Sequence, residues 1–153
     1  MDALELLKQD HQKLKRLFEA VKKATDFNQR RQLFDQIETE LEMHAHVEET
    51  VFYPAIEEYE QLKDIVAEAL QEHQEAKTLL QEIEELGSER EEFDSNLEEL
   101  MESVEHHVEE EEGEMFPKVR GHLDRSKLEQ LGKELESVKA KQHRQASYEG
   151  VRK

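Results

Sequence analysis

An internal repeat constrains this chain more than any other feature. Residues 44–54 read H-A-H-V-E-E-T-V-F-Y-P, and residues 107–117 read H-V-E-E-E-E-G-E-M-F-P. His44, Glu48 and Pro54 thus return 63 positions later as His107, Glu111 and Pro117. His11 and His73 stand 62 apart, in D-H-Q-K-L-K-R-L-F and E-H-Q-E-A-K-T-L-L. A histidine and a glutamate four residues apart share one face of a helix, one turn from each other. The chain reads as one helical hairpin written twice, each copy supplying two histidines and one such glutamate.

The apolar residues fall at helical spacing. Leu4, Leu7, His11, Leu14, Phe18 and Val21 predict a first helix over 3–24, capped by Asp2. A second is expected from Asn28 towards Tyr59, with Leu33, Ile37, Leu41, His44, Glu48 and Val51 inward and a bend or end at Pro54. A third spans 61–86 on Ile65, Val66, Ala69, His73, Ala76, Leu80 and Ile83. Gly87 stops it, and Ser88 with Glu91 reads as a capping box for a fourth over 89–119. That helix points Phe93, Leu97, Leu100, Val104, His107, Glu111 and Met115 inward; Gly113 within it costs helix propensity, and close approach of another helix would be one reason for it. A shorter fifth helix, 126–143, carries Leu128, Leu131, Leu135 and Val138. The links are short, so successive helices should pack antiparallel. The fold class expected is all-α: an up-and-down four-helix bundle with a short fifth C-terminal helix. One domain over 1–145 is followed by a tail, 146–153, expected to fray.

Every stripe is apolar except for His11, His44, Glu48, His73, His107 and Glu111. An ionised carboxylate facing a core must be paired, metal-bound or protonated. Six such groups at one level suit two metal ions bridged by the two glutamates, with imidazoles completing each shell and an oxo or hydroxo bridge as a further ligand. Histidine and carboxylate without sulfur suits iron or manganese. Cysteine is absent, which removes disulfides and thiolate chemistry together. His46 and His106 project to other sides of their helices, and His122 and His143 read as surface. Asp10 and Glu72, each just before a single histidine, read as surface or supporting groups. Glu109–Glu112 reads as a partly solvated run in which Glu111 is the inward exception. Tyr53 is a candidate to approach the cluster, or else a helix-interface aromatic.

A net charge of -18 repels phosphate backbones, so nucleic acid and anionic membrane are poor partners. No apolar run reaches the roughly 20 residues of a membrane span. The N-terminus has no secretory pattern, and the expected location is cytoplasmic.

On His11, the H-A-H-V-E-E run at 44–49, His73, the H-V-E-E-E-E run at 107–112, and Tyr53-Pro54 and Phe116-Pro117 behind them, the chain resembles the hemerythrin-like HHE cation-binding family. The resemblance covers about residues 2–120. It implies a four-helix bundle around a non-haem di-iron centre, two iron ions with an oxo or hydroxo bridge, and His11, His44, Glu48, His73, His107 and Glu111 as ligands. Oxygen-carrying members have another histidine one turn after the single histidine of helix three, where this chain has Lys77, and they place Asp five after the helix-four histidine. The compact form is similar to bacterial stand-alone members, including the mycobacterial type to which catalase-like activity has been ascribed. That likeness implies small-molecule partners, dioxygen or hydrogen peroxide, and peroxide disproportionation. Reversible oxygen binding, iron sensing or storage, and a metal-free acidic interaction module are the alternatives. Ferritin-like bundles use Glu-x-x-His, and the residues three before the four histidines are Lys8, Leu41, Leu70 and Val104.

Overall fold

The structure is a computed structural model. It describes residues 1–86 and 90–152, with side chains described through residue 142. Helix α1 is Ala3–Lys23, and Asp2 caps it by accepting from the Glu5 amide at 2.9 Å. Helix α2, Phe27–Val47, is capped by Asp26, two residues ahead of the expected start. A π-turn, Glu48–Phe52, joins it without a break to α3, Tyr53–Ile56. A 3-10 turn at Glu60–Leu62 leads into α4, Lys63–Glu85. Helix α5, Arg90–Glu110, runs through a second π-turn, Glu111–Met115, into α6, Phe116–His122. Of the proposed Ser88–Glu91 box, Glu91 lies in the first turn of α5, and Ser88 is outside the described residues. The last helix, α7, is Arg125–Arg152, opened by Asp124, which accepts from the Lys127 amide at 2.8 Å. The fold is all-α, with up-and-down helices and a C-terminal helix added to the bundle.

Two expectations change. Pro54 does not end its helix: the turn before it widens, and Tyr53 N–H bonds back to the Glu48 carbonyl instead of one residue later. The wider turn accommodates a residue that has no N–H to offer. Gly113 has open space around it, with nothing within 4 Å of where a Cβ would sit, so no helix approaches it closely. A smaller difference lies in α7, whose backbone stays helical past His143 because no proline follows Asp124. The side chains of the expected tail lie outside the described residues.

Two apolar clusters fill the bundle. One gathers Leu14, Phe18, Phe34, Ile37, Ile83, Phe93 and Leu97. The other gathers Leu4, Leu7, Phe52, Tyr53, Ile56, Phe116 and, from α7, Leu128, Leu131 and Leu135. On α1, His11 sits between Leu7 of one cluster and Leu14 of the other, so the histidines form a polar belt across the seam. No described helix is long and apolar enough to cross a membrane.

Helix α7 lies tightly on the N-terminus. A Cβ at Gly132 would collide with the Met1 carbonyl oxygen and lie 3.1 Å from the Asp2 carbonyl carbon. Gly132→Ala should therefore lower the melting temperature, although alanine favours helix by about 1 kcal/mol. An equal or higher melting temperature would show that the N-terminus yields freely.

Glu38 sits among Glu84, Glu42 and Asp35, and partial burial with these like charges raises its carboxyl to about 7. The folded state thus holds this proton more tightly than the unfolded chain, and stability falls as pH rises from the ordinary carboxylate range through about 7. Glu38→Gln is expected to raise the melting temperature at about pH 8, to do little at about pH 5, and to lose only the like-charge part of its benefit in high salt. Thermal melts at both pH values check this.

Candidate metal centre

All six inward polar residues converge. His11, His44, Glu48 and Glu111 place one donor atom each within 4.8 Å of one another, and Glu48, His73 and His107 form an adjoining group. The Nε2 atoms of His11 and His44 are 3.2 Å apart, as are those of His73 and His107. Two ring nitrogens that close suit a shared cation once both are unprotonated. The glutamates run across both pairs. Glu48 Oε1 is 3.0 Å from His73 Nε2 and 3.3 Å from His44 Nε2. Glu111 Oε1 is 3.0 Å from His11 Nε2, and its Oε2 is 3.5 Å from His107 Nε2. Both carboxylates are almost wholly buried, and Glu48 Oε2 is buried with no hydrogen-bond partner. An orphaned carboxylate oxygen at the middle of a core, beside four imidazoles, is consistent with a donor set for a metal.

The opposite edge of every imidazole is held by another carboxylate. Nδ1–H of His11 donates to Glu112 at 2.6 Å and that of His44 to Asp10 at 2.9 Å. Nδ1–H of His73 donates to Glu49 at 2.9 Å and that of His107 to Glu72 at 2.7 Å. Carboxylates placed this way fix the ring, fix the tautomer and make Nε2 a better donor. Asp10 and Glu72 are therefore built into the centre, as is Glu49, which sequence reasoning had not assigned, and Glu112, which it had read as part of a solvated run but which turns to His11. The arrangement follows the repeat. The acid before each single histidine supports the His of the H-x-x-x-E pair in its own half, and the acid after each buried glutamate supports the single histidine of the other half.

Tyr53 breaks the symmetry. Its hydroxyl donates to Glu111 Oε2 at 2.6 Å and lies 3.2 Å from Glu48 Oε1 and 3.4 Å from the Nε2 of both His73 and His107. Its counterpart in the other half, Phe116, stacks on His11 with centroids 6.1 Å apart. Burial and the two carboxylates push the phenol well above its ordinary value, so it stays protonated. In the metal-free chain, burial opposes the His107 imidazolium, but hydrogen bonds to Glu111, Glu48 and Glu72 win and push it up to about 12. Burial and Glu111 act to raise Glu48, yet the charge of His44 and the hydrogen bond to His107 bring it down to about 2.

The other described histidines lie apart, and the side chain of His143 is outside the described residues. His106 is exposed, 2.9 Å from Glu110 and 4.0 Å from Glu72. His46 is only partly buried and offers no donor to the cluster. His122 bonds the Lys118 carbonyl on the surface. Lys77 reaches Glu49 at 3.3 Å and brings no ligand of its own. A cavity of about 50 Å³ lies against His44, His73 and His107, walled by Leu14, Leu41, Ala76, Leu80, Val104 and Val108.

Fold and centre together define a helical-bundle protein whose buried His/Glu cluster is geometrically consistent with a non-haem di-iron site. The chain belongs to the hemerythrin family: residues 2–119 match the hemerythrin HHE cation binding domain. Its architecture superposes on the crystal structure of a hemerythrin HHE cation binding domain-containing protein from Mycobacterium kansasii with a TM-score of 0.85 at 25% identity, covering 99% of this chain and 93% of that one. It is 31% identical over 132 residues to a hemerythrin-like protein of Schizosaccharomyces pombe and 30% identical over 141 residues to a DNA nickase of Nostoc sp.. These alignments take in 85% and 92% of this chain, but the chain spans only 65% and 40% of those two proteins.

Proposed function

We propose that this chain is a non-haem di-iron protein that disproportionates hydrogen peroxide, two peroxides giving two waters and one dioxygen. The observation that carries the dinuclear reading is the pair of buried carboxylates, each within reach of histidines from both pairs, with Glu48 Oε2 left unpartnered. His11 and His44 would hold one ion, His73 and His107 the other, and Glu48 and Glu111 would bridge. Bound iron would supply the two-electron redox capacity that peroxide reduction and oxidation require.

The protein's part is positioning and exclusion. Four Nδ1–carboxylate bonds fix the orientation of the imidazoles. The cavity beside three of them is mostly apolar, with Glu42, Glu72 and Lys77 also on its wall, and has room for a small molecule. The Tyr53 hydroxyl keeps its proton and is the one hydroxyl among the donors, able to donate to an oxygen brought there. Lys77, paired with Glu49 instead of offering a fifth imidazole, argues against reversible oxygen carriage. The DNA nickase suggests no DNA chemistry here, because the shared region is 40% of that protein and a net charge of -18 opposes a phosphate backbone.

The deciding experiment is oxygen evolution from peroxide, with metal content measured on the same sample. Evolution is expected from the iron-loaded chain and not from the metal-free chain. A stable oxygenated spectrum that reverses when oxygen is lowered, without peroxide turnover, would replace this reading with oxygen binding.

A further inference from the structure

We propose that Lys139 of α7 is a positioning residue that sets the electronic character of the His11–His44 half of the centre, acting through Asp10 and His44. The proposal rests on the dinuclear reading above. Helix α7 lies outside residues 2–119, so nothing in the family match assigns it a part in the centre.

Lys139 donates to Asp10 Oδ1, while Asp10 Oδ2 accepts from His44 Nδ1 at 2.9 Å. An ammonium, a carboxylate and an imidazole therefore stand in line, ending at His44 Nε2 inside the donor set. The pair is sheltered, with side-chain exposure of 26% for Lys139 and 11% for Asp10, so solvent screens it weakly. The seating of α7 is equally definite, fixed by Gly132 against the N-terminus and by Leu128, Leu131 and Leu135 in the core.

The other half lacks this device. Glu72 takes the place of Asp10 in the repeat and bonds His107 Nδ1 at 2.7 Å, but on its far side it meets the Glu110 carboxyl and the exposed His106 at 4.0 Å, with no lysine among its described partners. The second lysine near the centre, Lys77, meets Glu49 at 3.3 Å with side-chain exposures of 48% and 27%, where water screens it. A carboxylate on Nδ1–H raises the donor strength of the imidazole, and a cation on that carboxylate takes some of it back. His44 is thus the weaker donor and His107 the stronger, and the two metal positions differ although their ligands are alike.

The test is potentiometry and Mössbauer spectroscopy of the iron-loaded chain, with metal analysis on each sample. Lys139→Met should keep two irons and shift one of the two reduction potentials downward, with one quadrupole doublet moving. Lys139→Arg should restore both values, and Lys133→Met, on the exposed face of the same helix, should leave them in place. Asp10→Asn should shift the same potential upward, and in that background Lys139→Met should move nothing. A helix that merely supports the fold would not produce that cancellation. Two irons with unmoved potentials in Lys139→Met, or a shift that persists in the Asp10→Asn background, would overturn the proposal. A native chain that binds no iron would overturn the dinuclear reading, and this inference with it.

Discussion

Glu48→Ala should leave the chain with at most one tightly held ion and abolish iron-dependent oxygen evolution. Glu48 Oε1 lies within 3.3 Å of an imidazole from each pair, and its Oε2 is the buried oxygen without a partner. Removing it takes a donor from both positions at once. Loss of a supporting carboxylate at a metal site commonly costs about 10–100-fold in affinity, and loss of a bridging ligand should exceed that. Asp10→Asn and Glu72→Gln therefore provide the graded comparison, with weaker affinity and both ions still present at saturating metal. Equilibrium titration with ferrous iron, read by metal analysis and an oxygen electrode, gives both quantities. Two ions retained by Glu48→Ala with full turnover would remove Glu48 from the centre.

Stripping the ions should produce the largest change in stability. Each ion that binds only the folded state stabilises by about 4 kcal/mol at a thousandfold excess over its dissociation constant. A domain of this size shifts by roughly 2–4 °C per kcal/mol, so two ions imply roughly 15–30 °C between loaded and metal-free protein. The metal-free core still has paired charges, which brings the expectation toward the lower end. Its pH dependence has a definite sign. Because His107 is held protonated up to about 12 without metal, an ion must expel that proton. The gain on loading should therefore grow as pH rises. Equal melting temperatures for the two forms would show that the cluster holds no ion.

The fold was legible because the stripes of α1, α4 and α5 are regular and each is interrupted at the same level. Leu14, Phe18, Ile83, Phe93 and Leu97 are buried as their spacing requires. All six polar residues on the stripes meet in one centre, and their role as ligands is the proposal that follows. The supporting acids lie one residue off the stripe: Asp10 and Glu72 were legible as surface or supporting groups, whereas Glu49 and Glu112 were not legible as part of the centre. Asp10, Glu49, Glu72 and Glu112 each neighbour a stripe residue and so point about 100° away along a helix. At a helix–helix seam that direction faces the next helix's histidine instead of solvent. The usable signal was the repeat itself, since an acid precedes each single histidine and follows each buried glutamate in both halves. Lys139 had no such signal, because its partner is 129 residues away. Phe34 and Phe52 were also missed, the first because Leu33 beside it fits the same stripe, the second because the helix changes its winding before reaching it.

The two π-turns have a consequence for how relatives of this chain should be aligned. In each, the backbone closes on the fifth residue instead of the fourth, so Tyr53 and Phe116 come back over Glu48 and Glu111 where residues four along would stand in a plain α-helix. Each turn is thus an insertion of one residue, absorbed locally without rotating anything downstream. A homologue that lacks one residue between Glu48 and Tyr53 would keep its aromatic over the centre in an unbroken helix. Single-residue gaps belong there and at 111–116. Placed anywhere else in these helices, a gap of one would turn a face of the bundle away from its partners.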